Sequence, residues 1–174
     1  MNDMRAYIVN RYRYDDRDFN DKPVGDWFSF PVEMDRIRER IGNSSGDDRF
    51  EITEIDFPFE ITLNESIEEL NRLSIMALKL GYPLNEVIDE LNFCYHSIKE
   101  VYENKDSIKW FKGCESMESV AGHLLRNGYF GDVNSVIVDC VDCKKLGEVL
   151  YNHSFAEGHV YIKTHLGYFD CPDV

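Results

Sequence analysis

The clearest alternation in the chain runs through residues 54–61, EIDFPFEI. Glu54, Asp56 and Glu60 take even positions, and Ile55, Phe57, Phe59 and Ile61 take odd ones. Successive side chains of a strand point to opposite faces, so the pattern predicts a strand with a buried apolar side and a row of carboxylates on the other. Two earlier strands are expected, at RAYIVNRY (5–12) and at DWFSFP, with Trp27 and Phe28 near its centre and Pro31 closing it. Between the second strand and the third, which begins near Arg49, the period changes. In VEMDRIRERIG, Met34, Ile37 and Ile41 recur at helical spacing and Gly42 stops the run. Strand, strand, helix, strand make a small α+β unit over residues 1–61.

Residues 62–104 read as helical. Ser66 and Glu69 have the spacing of a capping box. Ile67, Leu70, Leu73, Ala77 and Leu80 then form one face, and Gly81 ends the helix. Pro83 restarts a second helical stretch to about Glu103, with Leu84, Val87, Ile88, Leu91, Tyr95, Ile98 and Tyr102 along its buried stripe. Acids such as Glu68, Glu86, Asp89 and Glu90 fall mostly off these stripes. Residues 105–174 return to mixed structure. A strand at SIKWF precedes a helix capped by Ser116 that runs to about Arg126 and ends at Asn127–Gly128. VNSVIVDCV and CKKLGEVLY read as short helices, the second capped by Asp142, and HVYIKTHLGYFDC as a hairpin turning near His165–Gly167. The expected fold is α+β in three small subdomains: an antiparallel sheet with a helix, a central helical bundle, and an antiparallel sheet with short helices.

Charge narrows the function classes. Of 174 residues, 33 are acidic and 19 basic, a net of −14. The excess is −1 over residues 1–30, −5 over 31–60, −4 over 61–110 and −4 over 111–174, so it belongs to the folded body and not to a tail. Hydrophobic residues make up 43% of the chain and aromatic residues 13%, enough to bury a core. The sign argues against direct binding of DNA or RNA, which needs a basic footprint, and against anionic membranes. No apolar stretch nears the roughly 20 residues that span a bilayer. The start, MNDMRAYIVN, lacks the basic and apolar regions of a signal peptide. Five cysteines, an odd number late in the chain, fit free thiols in a reducing cytoplasm better than a disulfide framework.

Motifs for chemistry are sparse. Cys140 and Cys143 have the C-x-x-C spacing of redox and zinc sites. A zinc site needs two more ligands, and His153, His159 and His165 show no finger-like spacing. The redox motif needs a βαβ setting, so the pair reads as packing cysteines in a short helix. The five histidines are dispersed and read as surface or capping residues. No G-x-G-x-x-G or Walker pattern occurs, and carboxylate pairs among 33 acids carry no signal. Trp27, Phe28, Phe30, Phe57 and Phe59 read as core. No cofactor, metal or catalytic residue is expected.

A folded acidic body can imitate a nucleic-acid backbone. Duplex DNA carries one charge per about 1.7 Å of axis, so two copies of this chain carry the charge of about 14 base pairs. At this point the sequence resembles the ArdA antirestriction family of acidic DNA mimics. MRAYIVN followed by VGDWFSFPV is similar to the family's first two strands, SIEELNRL to the entry of its central helices, and THLGYFD to its closing hairpin. DCKKLGEVL, through Asp142, Leu146, Gly147 and Leu150, is similar to its C-terminal D-hydrophobic-x-x-hydrophobic-G-x-x-L pattern.

The resemblance implies an elongated three-part fold, with boundaries placed at 1–61, 62–104 and 105–174. It also implies homodimerisation through the C-terminal part and occupation of the DNA-binding groove in the methyltransferase core of type I restriction-modification enzymes. Two features depart from the family. The first inter-strand loop is long and holds Arg11, Arg13, Arg17 and Lys22, and cysteines stand in CVDC where larger apolar or aromatic residues are usual. The carboxylates expected to stand in for phosphates are Glu51, Glu54, Asp56 and Glu60, then Glu65, Glu68, Glu69, Glu86, Asp89 and Glu90, then Glu100, Glu103 and Asp106. The competing readings are a general acidic module for some other basic protein and a thiol or zinc enzyme using Cys140 and Cys143.

Overall fold

The computed structural model describes residues 3–14 and 23–172. Arg17 and Lys22 of the first loop therefore lie outside the described residues. The fold is α+β, with two three-stranded antiparallel sheets and several helices. The chain divides into two compact units, one holding the residues through Gly81 together with Ser97–Lys99, the other holding Tyr82–His96 and the residues from Glu100 onward. The helical middle expected over 62–104 is shared between these units instead of forming a body of its own.

In the first unit, β1 (Arg5–Tyr14) lies between β2 (Pro23–Ser29) and β3 (Phe50–Asp56). Ala6 and Ile8 face inward, where Phe28, Ile37 and Ile41 complete a buried core with helix α1 (Met34–Ile41). The outer face carries Tyr7 and Trp27, edge to face at 5.6 Å, with the Arg5 guanidinium 5.0 Å from the Trp27 ring. Gly25 allows this packing, because a Cβ there would stand 2.8 Å from Val9 Cγ1 and 2.9 Å from Tyr7 Cε1. Trp27 is thus half-buried on the outer face, not a core residue, and Phe57 is half-buried as well, whereas Phe28, Phe30 and Phe59 are buried.

The strand expected through Ile61 stops at Asp56. Pro58 has no N–H to give a ladder, so Phe57–Ile61 leaves the sheet. Alternating exposure nevertheless continues, with Phe59 buried and Glu60 exposed. Helix α2 (Ile67–Leu80) follows, with the Ser66 hydroxyl accepting from the Glu69 N–H at 3.1 Å. The Glu69 carboxylate turns to Arg72. The buried stripe of α2 is Ile67, Leu70, Ser74, Ala77 and Leu80, with Leu73 only half-buried. Asn71 ties α2 to the chain after β2, donating to Val32 O at 2.8 Å and accepting from Val32 N at 2.7 Å.

The second helical stretch is broken. A 3-10 turn (Leu84–Glu86) and the four-residue α3 (Ile88–Leu91) precede α4 (Ile98–Asn104), and 92–97 is irregular. Asn, Phe, Cys, Tyr, His and Ser there are all weak helix formers. Burial of Leu84, Val87, Ile88, Leu91, Tyr95 and Ile98 still follows the expected stripe, with Tyr102 half-buried. Tertiary packing thus holds these apolar positions without a continuous helix.

The sheet of the second unit has β6 (Gly167–Pro172) between β4 (Lys109–Lys112) and β5 (His159–Thr164). One face, through Phe111, Tyr161 and Tyr168, packs on α5 (Met117–Arg126) and α7 (Cys143–Ser154), by way of Val120, Leu124 and Leu150. Ser116 and Ser119 form a capping box at the start of α5, and the Asp142 carboxylate caps α7 at 3.1 Å from the Lys145 N–H. Gly147 lets α7 lie against the start of α5, because a Cβ there would stand 2.5 Å from Met117 O. On the opposite face, Trp110 stacks on Phe169 and meets Tyr82 edge to face, and the Tyr95 hydroxyl donates to Pro172 O at 2.9 Å. Helix α6 (Ser135–Cys140) has no buried residue. No helix among the described residues is long and apolar enough to cross a membrane.

Candidate target-binding face

The carboxylates of β3 reach the solvent face through an irregularity. Tyr7 pairs with Glu54 and Ile8 with Ile52, so Thr53 is an extra residue between them. A bulge of this kind shifts the side-chain phase by one. Glu51, at an odd position, thereby joins Glu54 and Asp56 on one exposed face, across from Val9, Tyr7 and Arg5. Ile52 and Ile55 stay together on the inner side with Ile8 and Ala6.

Two of these three acids are already paired. Asp56 Oδ2 lies 2.8 Å from the Arg5 guanidinium, and Glu51 takes a two-pronged contact from Arg11 at 2.6 and 2.8 Å. Arg11 holds the Glu51 carboxyl below its ordinary range through those hydrogen bonds. Arg13 donates to Gly42 O at 2.8 Å. Arg11 and Arg13, expected in the first loop, thus lie in β1 instead and serve the fold. Glu54 stands exposed opposite Tyr7, between the two bridged acids.

The start of α2 brings more carboxylates to the same unit. Glu51, Glu65 and Glu68 line one hollow of about 430 Å³, with Phe50, Leu63 and Ile67 among its apolar residues. Glu65 accepts from the Thr62 hydroxyl at 3.3 Å, and Glu68 is exposed. Asp and Glu in a first helical turn are also favoured by the helix dipole. Glu69 is spent on Arg72, whose hydrogen bonds hold its carboxyl below the ordinary value. Glu60 is exposed beyond the strand end.

The other expected acids lie in the second unit. Glu86, Asp89, Glu103 and Asp106 are exposed, and Asp106 pairs with Lys105 at 3.2 Å. Glu90 is half-buried with His165 Nδ1 at 3.3 Å, and Glu100 accepts from the His96 N–H at 3.0 Å. That unit also exposes Glu115, Glu118, Asp139, Glu148 and Glu157, which the sequence reading left out. Their signal was available: each lies off the apolar stripe of its own segment.

Cys140 ends α6 and is exposed, and Cys143 opens α7 half-buried, so they do not pack together in one helix. All five cysteines are free thiols. No group of three or more His, Cys, Asp or Glu among the described residues could hold a metal ion. His96, His123, His153 and His165 are exposed, as expected of surface histidines, whereas His159 is half-buried with Nδ1 2.8 Å from the buried Asp170. No known family model matches this chain, and no curated protein matches it either.

Proposed function

We propose that this chain is an antirestriction protein of the ArdA kind, a mimic of duplex DNA that competes for the DNA-binding groove of a type I restriction-modification enzyme. The observation that carries the reading is a folded body of net charge −14, most of whose described acids are exposed. The bulge at Thr53 sets Glu51, Glu54 and Asp56 in one row, and Glu65 and Glu68 extend it around an adjoining hollow. Such a face presents carboxylate oxygens to the lysines and arginines that otherwise hold phosphates.

Homodimerisation through the C-terminal part, residues 105–174, is part of the proposal. Val136 and Ile137 on α6 are 68% and 56% exposed, and Tyr151 and Phe155 are exposed in the same unit. A helix with no buried residue gains little from packing within its own chain, and a neighbouring copy would cover it. The deciding experiment is a plaque assay with unmodified phage in a host carrying an intact type I system. Expression of the chain should relieve restriction. Unchanged plating, with the protein present and folded, would leave the reading without support and favour a general acidic module for another basic protein.

A further inference from the structure

The second unit contains a cavity of about 560 Å³, lined on one side by residues of α5 and α7 and on the other by all three strands. That is within the roughly 300–1,000 Å³ typical of small-molecule sites. Asp170, in the central strand, lines it with a side chain only 5% exposed. Buried carboxylates are rare unless paired. Oδ1 has its partner, His159 Nδ1 at 2.8 Å. Oδ2 has none within hydrogen-bonding distance among the described residues, and its nearest cation is Lys109 Nζ at 4.0 Å. The strand register puts Lys109 and Tyr161 on either side of Asp170.

The rest of the lining selects the charge of a ligand. Tyr129, Phe130 and Tyr161 supply aromatic rings, and Glu157 adds a second carboxylate. Burial, and then Asp170 and Glu157, push the Tyr161 hydroxyl up to about 12, so the phenol stays a neutral donor. Lys109 Nζ sits 4.5 Å from the centre of the Tyr129 ring, so an ammonium here already rests on an aromatic face beside a carboxylate. An anionic ligand would meet two carboxylates against one lysine, and a neutral one would leave Oδ2 with Lys109 at 4.0 Å as its only cation among the described residues.

We propose that this cavity binds a small organic ammonium ion, a protonated primary amine on an apolar body. The amine donates to Asp170 Oδ2, and the body lies against Leu124, Phe130 and Val149. Lys109 competes with it for the carboxylate. The site stands apart from the inhibitory role proposed above and needs neither the acidic face nor a target enzyme.

Calorimetric titration of the full chain with phenethylammonium, 2-phenylethanol and 3-phenylpropionate tests this. The amine should bind saturably at one per chain, the alcohol at least about tenfold more weakly, and the carboxylate not at all. Asp170→Asn should weaken the amine by about tenfold or more. Lys109→Met should tighten it by removing the competing cation, and Val149→Trp should block it by filling the wall without touching the Asp170–His159 pair. The last two variants decide the matter if Asp170→Asn does not fold. Absence of saturable binding, equal binding of all three probes, or amine binding unchanged by Val149→Trp would overturn the proposal.

Discussion

Asn10 shows what a single polar side chain does for the first unit. It is fully buried, and its amide donates to Ile41 O at 3.0 Å and Asp48 Oδ1 at 2.7 Å. Its carbonyl accepts from the Tyr12 and Arg49 N–H groups. One side chain thereby fixes the end of α1, the 42–49 loop and the entry to β3. Asn10→Ala leaves several of these groups without partners and should lower stability by about 2–4 kcal/mol in urea unfolding. The position was legible, since Asn10 shares parity with Ala6 and Ile8, but its partners other than Tyr12 come from segments 31 and more residues away. Glu51 carries a pH dependence with a definite sign. Arg11 lowers its folded-state pKa, so its contribution is fully present above the ordinary carboxylate value of 4.5 and is lost as pH falls through the lowered value. Arg11→Gln removes that contribution. The variant should therefore lose stability less steeply than the parent between about pH 5 and about pH 3, as read from denaturant midpoints.

At the scale of elements, the bulge in β3 makes a sharper prediction. Thr53 is the residue in excess of the ladder, because Glu54 and Ile52 already face Tyr7 and Ile8. Its deletion restores a regular strand with every remaining side chain on its present face. Deletion of Ile52 instead puts Thr53 opposite Ile8 in the core and should cost about 1–3 kcal/mol more than deletion of Thr53. Paired urea titrations of the two deletions would measure the difference, and equal losses would mean that the bulge itself supports the sheet. The boundaries that were legible were the local ones. Ser66, Ser116 and Asp142 cap their helices, and Gly42, Gly81 and Asn127 end theirs. The bulge was not, because a strand's phase is set by its partner and alternation within 54–61 looked complete by itself. The break at 92–97 was hidden for a related reason, since apolar residues keep helical spacing there while sheet packing supplies the burial. Gly147, noticed as part of a sequence pattern, has its cause in the close approach of α7 to Met117.

The net charge of the whole molecule could be counted from the sequence, but the part of it neutralised within the fold could not. Arg5, Arg11, Arg38, Arg40 and Arg72 each bridge an acid of their own unit, and Asp56, Glu51 and Glu69 are among the acids so engaged. This changes how mimicry should be tested. Neutralising Asp56 or Glu51 removes an acid whose charge is already offset, so single changes there should weaken target binding less than Glu54→Gln does. Removing the arginines is the more telling change. Arg5→Gln with Arg11→Gln takes the chain from −14 to −16 and frees both carboxylates beside Glu54. If this row takes phosphate positions in a basic groove, the double variant should bind a type I enzyme several-fold more tightly than the parent at low salt. The gain should shrink as salt rises, because exposed charges are screened over about 8–10 Å near physiological ionic strength. Stability should fall only slightly, since exposed ion pairs contribute little to it. Titration of the purified enzyme at two salt concentrations decides the point. Equal affinities of parent and variant at both would mean that this row only meets water, and that the inhibitory contact lies on other carboxylates.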